Sequence, residues 1–177
     1  VADYIIVGSG SAGAVLADRL SADGRHSVLL IEEGGGDNWL SRMPKGFGKL
    51  IADPVRAHFY QTNPRPDAMV NPQVWIRGKM LGGSSAINGM VWNRGVAEDY
   101  DGLEALGNPG WGWKDMLRCL RALEDHNLGE SEYRGAGGPI AITTNPNQNA
   151  LWAATIAAGN SLQLRTKDDQ NGPDLEG

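Results

Sequence analysis

Two short apolar runs near the start of the chain flank a stretch of helical period. Tyr4-Ile5-Ile6-Val7 is four residues of strand character. From Ala14 onward the apolar positions Ala14, Leu16, Ala17 and Leu20 recur at helical spacing, and most are strong helix formers. Ser27-Val28-Leu29-Leu30-Ile31 is the second apolar run. Residues 1–36 therefore predict a β–α–β unit. Periodicity then fades over residues 37–76, where Pro44, Pro54, Pro64, Pro66 and Pro72 break any long helix. A short element is expected from Gly46 to Ile51. Irregular chain of this length usually packs over something functional. Trp39, Phe47, Phe59, Tyr60 and Trp75 are read as cover for core surface, with contact between one of them and a bound ring left open.

Period returns at residues 111–125, which predict an amphipathic helix. Trp113, Met116, Leu117, Leu120 and Leu123 fall on one face. Lys114, Asp115, Arg118, Arg121 and Glu124 lie around the other, and Cys119 sits at the border as a small, partly buried hydrophobe. Asp125 and His126 are expected to end this helix. Gly135-Ala136-Gly137-Gly138 reads as a loop and Pro139 to Thr143 as a half-buried strand. Asn145-Pro146-Asn147 marks a turn. Leu151, Trp152, Thr155, Ile156 and Leu162 suit a second amphipathic helix, and Arg165 to Gly177 is polar, with no closing element.

The turn between the first strand and helix carries the first chemistry. Gly8, Gly10 and Gly13 have G-x-G-x-x-G spacing. Gly8 permits a tight turn, Gly10 lets a pyrophosphate approach the backbone, and Gly13 lets the helix lie close on the sheet. The first helical N–H groups, with the helix dipole, then face the phosphates. The second run ends in Glu32, nineteen positions after Gly13, where an acidic residue meets ribose hydroxyls. A carboxylate there repels a 2′-phosphate, which argues against NADP. Glycines in Glu33-Gly34-Gly35-Gly36-Asp37 would let the chain pass an adenosine edge, or form a plain surface turn.

Composition narrows the classes. The chain has 177 residues, enough for one domain or slightly more, with 41% hydrophobic and 21% charged residues. Its net charge of −5 and lack of a basic run argue against tracking nucleic-acid phosphates. The single cysteine, Cys119, excludes an internal disulfide. No apolar run approaches the ~18 residues of a spanning helix. The chain starts at Val1, almost inside a strand, so removal of an initiator or a leader is expected. A cytoplasmic location is favoured, with a secreted or periplasmic one left open. Twenty-five glycines, clustered at 8–13, 34–36, 82–83 and 135–138, suggest several tight approaches to a ligand.

Residues 77–95 form the second information-rich stretch. Gly82-Gly83-Ser84-Ser85 sets two residues without side chains before two hydroxyls. This makes a backbone nest at a helix start, suited to a phosphate or a ring edge. Capping of that helix by Ser84 or Ser85 is the other reading. No G-x-S-x-G occurs here, so it is no hydrolase elbow.

Taken together, these residues resemble the glucose-methanol-choline (GMC) flavoprotein oxidoreductases. Gly78 through Asp101 resembles that family's first signature, and Gly8 to Gly13 with Glu32 its FAD-binding start. The resemblance continues through Gly107-Asn108-Pro109-Gly110-Trp111, Tyr133-Arg134-Gly135-Ala136-Gly137-Gly138-Pro139, Asn171-Gly172 and Glu176-Gly177. It implies an α/β fold: an FAD-binding Rossmann-like βαβ start of a GMC-type fold, incomplete without a C-terminal segment. It divides the chain into a dinucleotide-binding unit (1–36), a flavin-covering extension with the signature at 78–101 (37–110), and a helix, strand and helix leading into a truncated substrate domain (111–177). Ser11 and Ala12 would meet the FAD pyrophosphate, with Gly8, Gly10 and Gly13 shaping the turn, and Glu32 would hold the adenosine ribose. Gly82, Gly83 and Ser84 would run beside the flavin and its phosphates. Asn88, Gly89, Met90 and Val91 would line the isoalloxazine, their N–H groups stabilising a reduced, anionic flavin. Some members carry a flavin-linked histidine where Ile87 stands, so the resemblance implies non-covalent FAD here. Tryptophan often stands at the position of Leu103, read as a packing difference.

The implied activity is oxidation of an alcohol, a CH–OH group. A histidine removes the hydroxyl proton, hydride passes to flavin N5, and oxygen or another acceptor reoxidises the flavin. In the family the catalytic histidine and its partner lie near the C-terminus, and His26, His58 and His126 match no such motif. No catalytic residue is assigned. Only two parallel strands are evident, and a doubly wound sheet needs more. A companion C-terminal segment, nicked from the same enzyme or a separate chain, is therefore expected as partner beside the small alcohol substrate. Two alternatives stay open: an FAD-containing hydroxynitrile lyase of the same family, and a non-catalytic or NAD-dependent dinucleotide-binding module.

Overall fold

The computed structural model describes residues 1–63, 71–144 and 149–173. Pro64, Pro66, the expected turn at Asn145–Asn147 and the pair Glu176-Gly177 lie outside them. The contacts divide the chain into two compact units, Val1–Val91 and Trp92–Gly177.

The first unit opens with β1 (Tyr4–Val7), α1 (Ser11–Ser21) and β2 (Val28–Ile31). β1 and β2 are parallel, in the register Tyr4↔Val28 to Val7↔Ile31. Parallel neighbours require a crossover, and α1 supplies it. At the foot of the pair, Asp3 Oδ2 accepts hydrogen bonds from the Ser27 N–H at 2.8 Å and the Ser27 hydroxyl at 2.7 Å. At the top, the Gly8 N–H donates to the Ile31 carbonyl at 2.7 Å. Both ends of the unit are thereby closed.

The segment after β2 is more ordered than its sequence suggests. α2 (Trp39–Arg42) has Asn38 as its N-cap, in a reciprocal arrangement with Ser41. A 3₁₀ turn at Pro44–Gly46 and α3 (Phe47–Leu50) occupy the place of the expected short element. β3 (Ala57–Gln61) and β4 (Val74–Gly78) then pair antiparallel, an element pair that the prolines and weak period did not reveal. Leu50, Ala57, Met80 and Ile87 form the buried core of this unit, with Leu40, Ile51, Ile76 and Ala86 packed against it. The aromatic residues expected over this core are largely elsewhere. Trp39 is 67% exposed, Phe59, Tyr60 and Trp75 are also exposed, and only Phe47 is half-buried. Asp37 lies at the surface in an ion pair with Arg42.

The second unit contains α4 (Ala97–Ala105), α5 (Trp113–Leu123), β5 (Glu124–His126), β6 (Ile140–Ile142) and α6 (Ala150–Ser161). α4 was not expected. It packs on α5 through a tilted Tyr100–Trp113 ring contact at 5.5 Å, and Asp101 accepts from the Trp113 N–H at 2.9 Å. The five predicted apolar positions of α5 are all half-buried. Three expectations here are corrected. Residues 124–126 do not merely end the helix. They form β5, parallel to β6 in the register Glu124↔Ile140 to His126↔Ile142, because strand pairing claims their backbone. Glu124, read as an outer-face residue, is 1% exposed. Cys119, read as partly buried, is exposed. α6 is a helix as expected, but Leu151, Trp152, Ala154, Ile156 and Ala158 surround it, so it has no polar face, and it is exposed along nearly its whole length.

A buried ion pair organises this unit. Glu124 Oε1 pairs with Arg94 Nη2, both side chains being at most 2% exposed. Trp92 Nε1–H donates to the same oxygen at 2.7 Å, and the Gly135 N–H donates to Glu124 Oε2 at 2.9 Å. The Arg94 N–H donates to Asn171 Oδ1 at 2.9 Å, and Asn171 Nδ2 donates to the Trp92 carbonyl at 3.0 Å. Residues from three stretches that the sequence set apart, 78–101, 133–139 and 171–172, are thus tied to one carboxylate. Burial pushes the Glu124 carboxyl up, but the Gly135 N–H, the Trp92 indole and Arg94 outweigh it and hold it below its ordinary value of 4.5.

Glu124→Ala leaves the Arg94 charge, the Trp92 indole and the Gly135 N–H without their acceptor, and should cost about 3–5 kcal/mol in urea unfolding at neutral pH. A folded-state value below the unfolded one contributes stability that is full above the unfolded value. That stability is lost as pH falls through the lowered one. The gap between wild type and variant should therefore narrow in acid.

Candidate functional site

The fingerprint turn sits where β1 hands over to α1. Gly10 is the N-cap of α1 and provides no side-chain cap, and no acidic residue lies in the first turn. The N–H groups of Ser11, Ala12 and Gly13 therefore have no intrahelical acceptor and carry the positive end of the helix dipole. A Cβ at Gly13 would overlap the Gly8 carbonyl oxygen and reach 3.4 Å from Ile6 Cγ2. Glycine there lets α1 lie directly on β1.

Glu32 closes the turn from the other side. Its Oε2 accepts from the Ser9 N–H at 2.8 Å and the Ser9 hydroxyl at 2.6 Å, and its Oε1 accepts from the Gly34 N–H at 2.9 Å. These bonds, that of the Ser9 hydroxyl first, hold the Glu32 carboxyl below its ordinary value. Ser9, 1% exposed, also reaches the second glycine stretch. The Gly82 N–H donates to the Ser9 carbonyl at 3.1 Å and lies 3.3 Å from the Ser9 hydroxyl.

That second stretch is a 3₁₀ turn, Gly83–Ala86, entered through Gly82 at φ +90°. Neither serine caps it from the N-cap position. Ser84 Oγ accepts from the Gly78 N–H at 3.1 Å, and Ser85 Oγ donates to the Gly82 carbonyl at 2.6 Å. Gly83 lies at φ +55°, and a Cβ on it would stand 2.8 Å from the Gly10 Cα. The two glycine stretches are in backbone contact, and at Gly83 only a residue without a side chain allows it, whereas a Cβ on Gly10 would stand an ordinary 4.0 Å from the Gly83 Cα.

A cleft of about 410 Å³ opens between them, lined in part by Gly8, Gly10, Glu32, Gly83 and Ser84. Ser11, Ala12 and Gly13 follow Gly10 in the first turn of α1, and Gly82 precedes Gly83, held by Ser9. Asn88, Gly89, Met90 and Val91 do not line it. Asn88 Oδ1 accepts from the Met90 N–H at 2.8 Å, while Met90 and Val91 are exposed. Gly34 and Gly35 meet the chain that leads into the second stretch. Gly34 is pressed against Lys79, and the Gly35 carbonyl accepts from the Leu81 N–H at 2.9 Å.

Sequence reasoning missed three groups here. Ser9 was overlooked because it stood between two motif glycines. His58 and Glu33 also line the cleft. Glu33 pairs with Lys79 at 2.6 Å and lies 3.4 Å from His58 Nε2. Lys79 first, then His58, holds the Glu33 carboxyl below its ordinary value. No local signal marks His58, which reaches the cleft only through β3–β4 pairing. His126, read as a helix-end residue, is buried in β5, and its Nδ1 accepts from the Leu128 N–H at 3.1 Å.

Residues 2–177 match the family model described as GMC oxidoreductase. The chain belongs to the GMC oxidoreductase family. It is 41% identical over 177 residues to the oxygen-dependent choline dehydrogenase of Sinorhizobium fredii, covering 99% of this chain and 32% of that protein. The crystal structure of pyridoxine 4-oxidase from Mesorbium loti matches with a TM-score of 0.87 at 34% identity, covering 99% of this chain and 35% of that one. An FAD-dependent oxidoreductase from Chaetomium thermophilum matches with a TM-score of 0.77 at 28% identity, covering 98% of this chain and 32% of that one. The GMC chain described here therefore spans about a third of the length of the relatives it matches. Its α/β βαβ opening is the family's N-terminal portion. Among its described residues no helix is long and apolar enough to cross a membrane, and no cluster of residues could hold a metal ion.

Ser9→Ala removes a donor to Glu32 and an acceptor near Gly82, and should cost about 1–2 kcal/mol. It should also move the Glu32 carboxyl up toward the ordinary range in side-chain NMR titrations. A Glu32 titration identical in both proteins would contradict the geometry.

Proposed function

We propose that this chain is the cofactor-holding portion of an FAD-dependent oxidoreductase that oxidises the CH–OH carbon of a small alcohol. The observation that carries this reading is the backbone contact between Gly10 and Gly83 beside an open cleft. A Cβ on Gly83 would strike the Gly10 backbone, and Gly8 and Gly10 leave the cleft wall bare, so the residues present fit a dinucleotide pressed against backbone. The names of the relatives support the redox reading, and choline and pyridoxine are both alcohols.

The residues divide the work. The free N–H groups of Ser11, Ala12 and Gly13 would receive the pyrophosphate at the positive end of α1. Gly8 and Gly10 keep that approach clear. Glu32 has three donors on a carboxylate that takes about four, so Oε1 retains room for a ribose hydroxyl. Its negative charge disfavours a 2′-phosphate. Gly82, Gly83 and Ser84 would pass along the phosphates and the flavin. Asn88, Gly89, Met90 and Val91 would border the isoalloxazine. A flavin held there would supply the acceptor for the hydride that leaves the alcohol carbon. Ile87 is buried in the aliphatic core and offers no atom for a covalent link, which supports non-covalent FAD.

The proton-transfer groups are assigned to a companion segment, on the same or a separate polypeptide. Ile5, Val7, Leu29 and Ile31 support this, because both strands of the parallel pair leave large apolar residues exposed. An oxidase and a dehydrogenase share everything described here and differ in what reoxidises the flavin.

The native protein should be yellow and release flavin on denaturation. Gly10→Val, with its fold retained by circular dichroism, should bind FAD ~10–100-fold more weakly, because its side chain would stand where the pyrophosphate approaches the backbone and crowd it by about 1–3 kcal/mol. A colourless protein that takes up NAD but not FAD would overturn the proposal.

A further inference from the structure

The outer face of α5 carries a second cleft, unrelated to the dinucleotide cradle. Lys114, Arg118 and Arg121 stand at i, i+4 and i+7, so they share one helix face. They line a groove of about 310 Å³ whose opposite wall is Gly135-Ala136 and whose floor includes Leu117. That volume is on the scale of a small-molecule site.

The walls are fixed before any ligand arrives. Gly135 is seated against the Arg121 carbonyl so closely that a Cβ would overlap it. Its N–H is held by buried Glu124 at 2.9 Å. Arg121 Nε–H donates to the Arg134 carbonyl at 3.2 Å, and its Nη2 pairs with Glu130 at 2.8 Å, which clamps the guanidinium at the groove edge.

The charge is unbalanced. Three cations and one carboxylate, Glu130, line the groove, in a chain of net charge −5. Lys114 has no ion pair or hydrogen bond among the described residues. Among the described residues Arg118 reaches only Asp115, at 3.7 Å, with its own side chain 79% exposed, and a pair of that kind holds little. The Lys114 ammonium and the Arg118 guanidinium therefore remain available. A guanidinium fork flanked by an ammonium matches the oxygens of a phosphate or a carboxylate.

We propose that this groove binds a small polyanion, a molecule carrying two or more phosphate or carboxylate groups. Lys114 and Arg118 grip it, and clamped Arg121 orients it. Leu117 and the Gly135-Ala136 backbone set the room left for its carbon skeleton. The site lies within the Trp92–Gly177 unit and uses none of the residues assigned to the dinucleotide.

The test is residue-resolved amide NMR of the full chain, titrated separately with inorganic pyrophosphate and with citrate at low ionic strength. The expected result is saturable shifts at Lys114 to Ala122 and at Gly135-Ala136, with the tighter probe naming the preferred oxyanion. Lys114→Gln/Arg118→Gln should weaken that binding at least ~10-fold, as loss of two charge-assisted contacts implies. Both side chains project into solvent, and an unchanged amide spectrum elsewhere confirms that the variant is folded. Lys45→Gln/Lys49→Gln, which removes the same charge elsewhere, should titrate like wild type. Shifts absent from α5, confined to Ser11–Gly13, or unaltered in the double variant would overturn the proposal.

Discussion

Everything built around the fingerprint depends on one small side chain. Ser9 is buried between the strand-to-helix turn, the acidic tip of β2 and the entry to the second glycine stretch. Its hydroxyl donates to Glu32, and its carbonyl receives the Gly82 N–H. A buried polar group left unpaired is costly, so these bonds hold as a set. Seventy-three residues separate Ser9 from Gly82, and closing so long a loop costs entropy that local propensity does not offset. The latch, with the aliphatic core of Leu50, Ala57, Met80 and Ile87 beneath it, brings the second stretch to the first. Glycine at 83 then turns that proximity into backbone contact with Gly10.

The other unit solves a similar problem with charge. Glu124 gathers Trp92, Arg94 and Gly135, and Asn171 joins through Arg94 and Trp92. Arg94 Nε remains without a partner among the described residues, so the pair is not an ideal exchange for hydration. A buried ion pair of this kind is weak support for stability in itself but is expensive to break. Its clearest effect is geometric. It pins the start of the 135–138 loop against α5.

What was legible in the sequence was what local period and motif spacing encode. The β1–α1–β2 unit, α5 and the strand at 140–142 were visible because their side chains repeat with the period of the backbone they occupy. Both glycine stretches were assigned to one dinucleotide because they lack side chains, but their direct contact at Gly10 and Gly83 was not expected. β3 and β4 were hidden because twelve residues part Gln61 from Val74, far beyond a hairpin turn, and prolines lie between and around them. β5 follows a helix with no turn between, and only its partner strand makes it a strand. Burial was the least legible property. Glu124 carries the composition of an outer face and lies inside, while Trp39, Tyr60 and Cys119 were placed against packing and lie outside. In each case the deciding neighbour is remote in sequence. Ser9 and His58 were missed for the same reason, since neither has meaning without Glu32, Gly82 or Glu33 beside it.

The latch between the two glycine stretches is tested most directly by hydrogen exchange at the Ser9, Gly34 and Gly82 amides. All three donate to the Ser9–Glu32 pair, so all three should exchange far more slowly than in an unstructured peptide, and together. A Gly82 amide that exchanges at the unstructured rate while Ser9 and Gly34 stay protected would show that the second stretch is not held against the first, and the account of the site would fail.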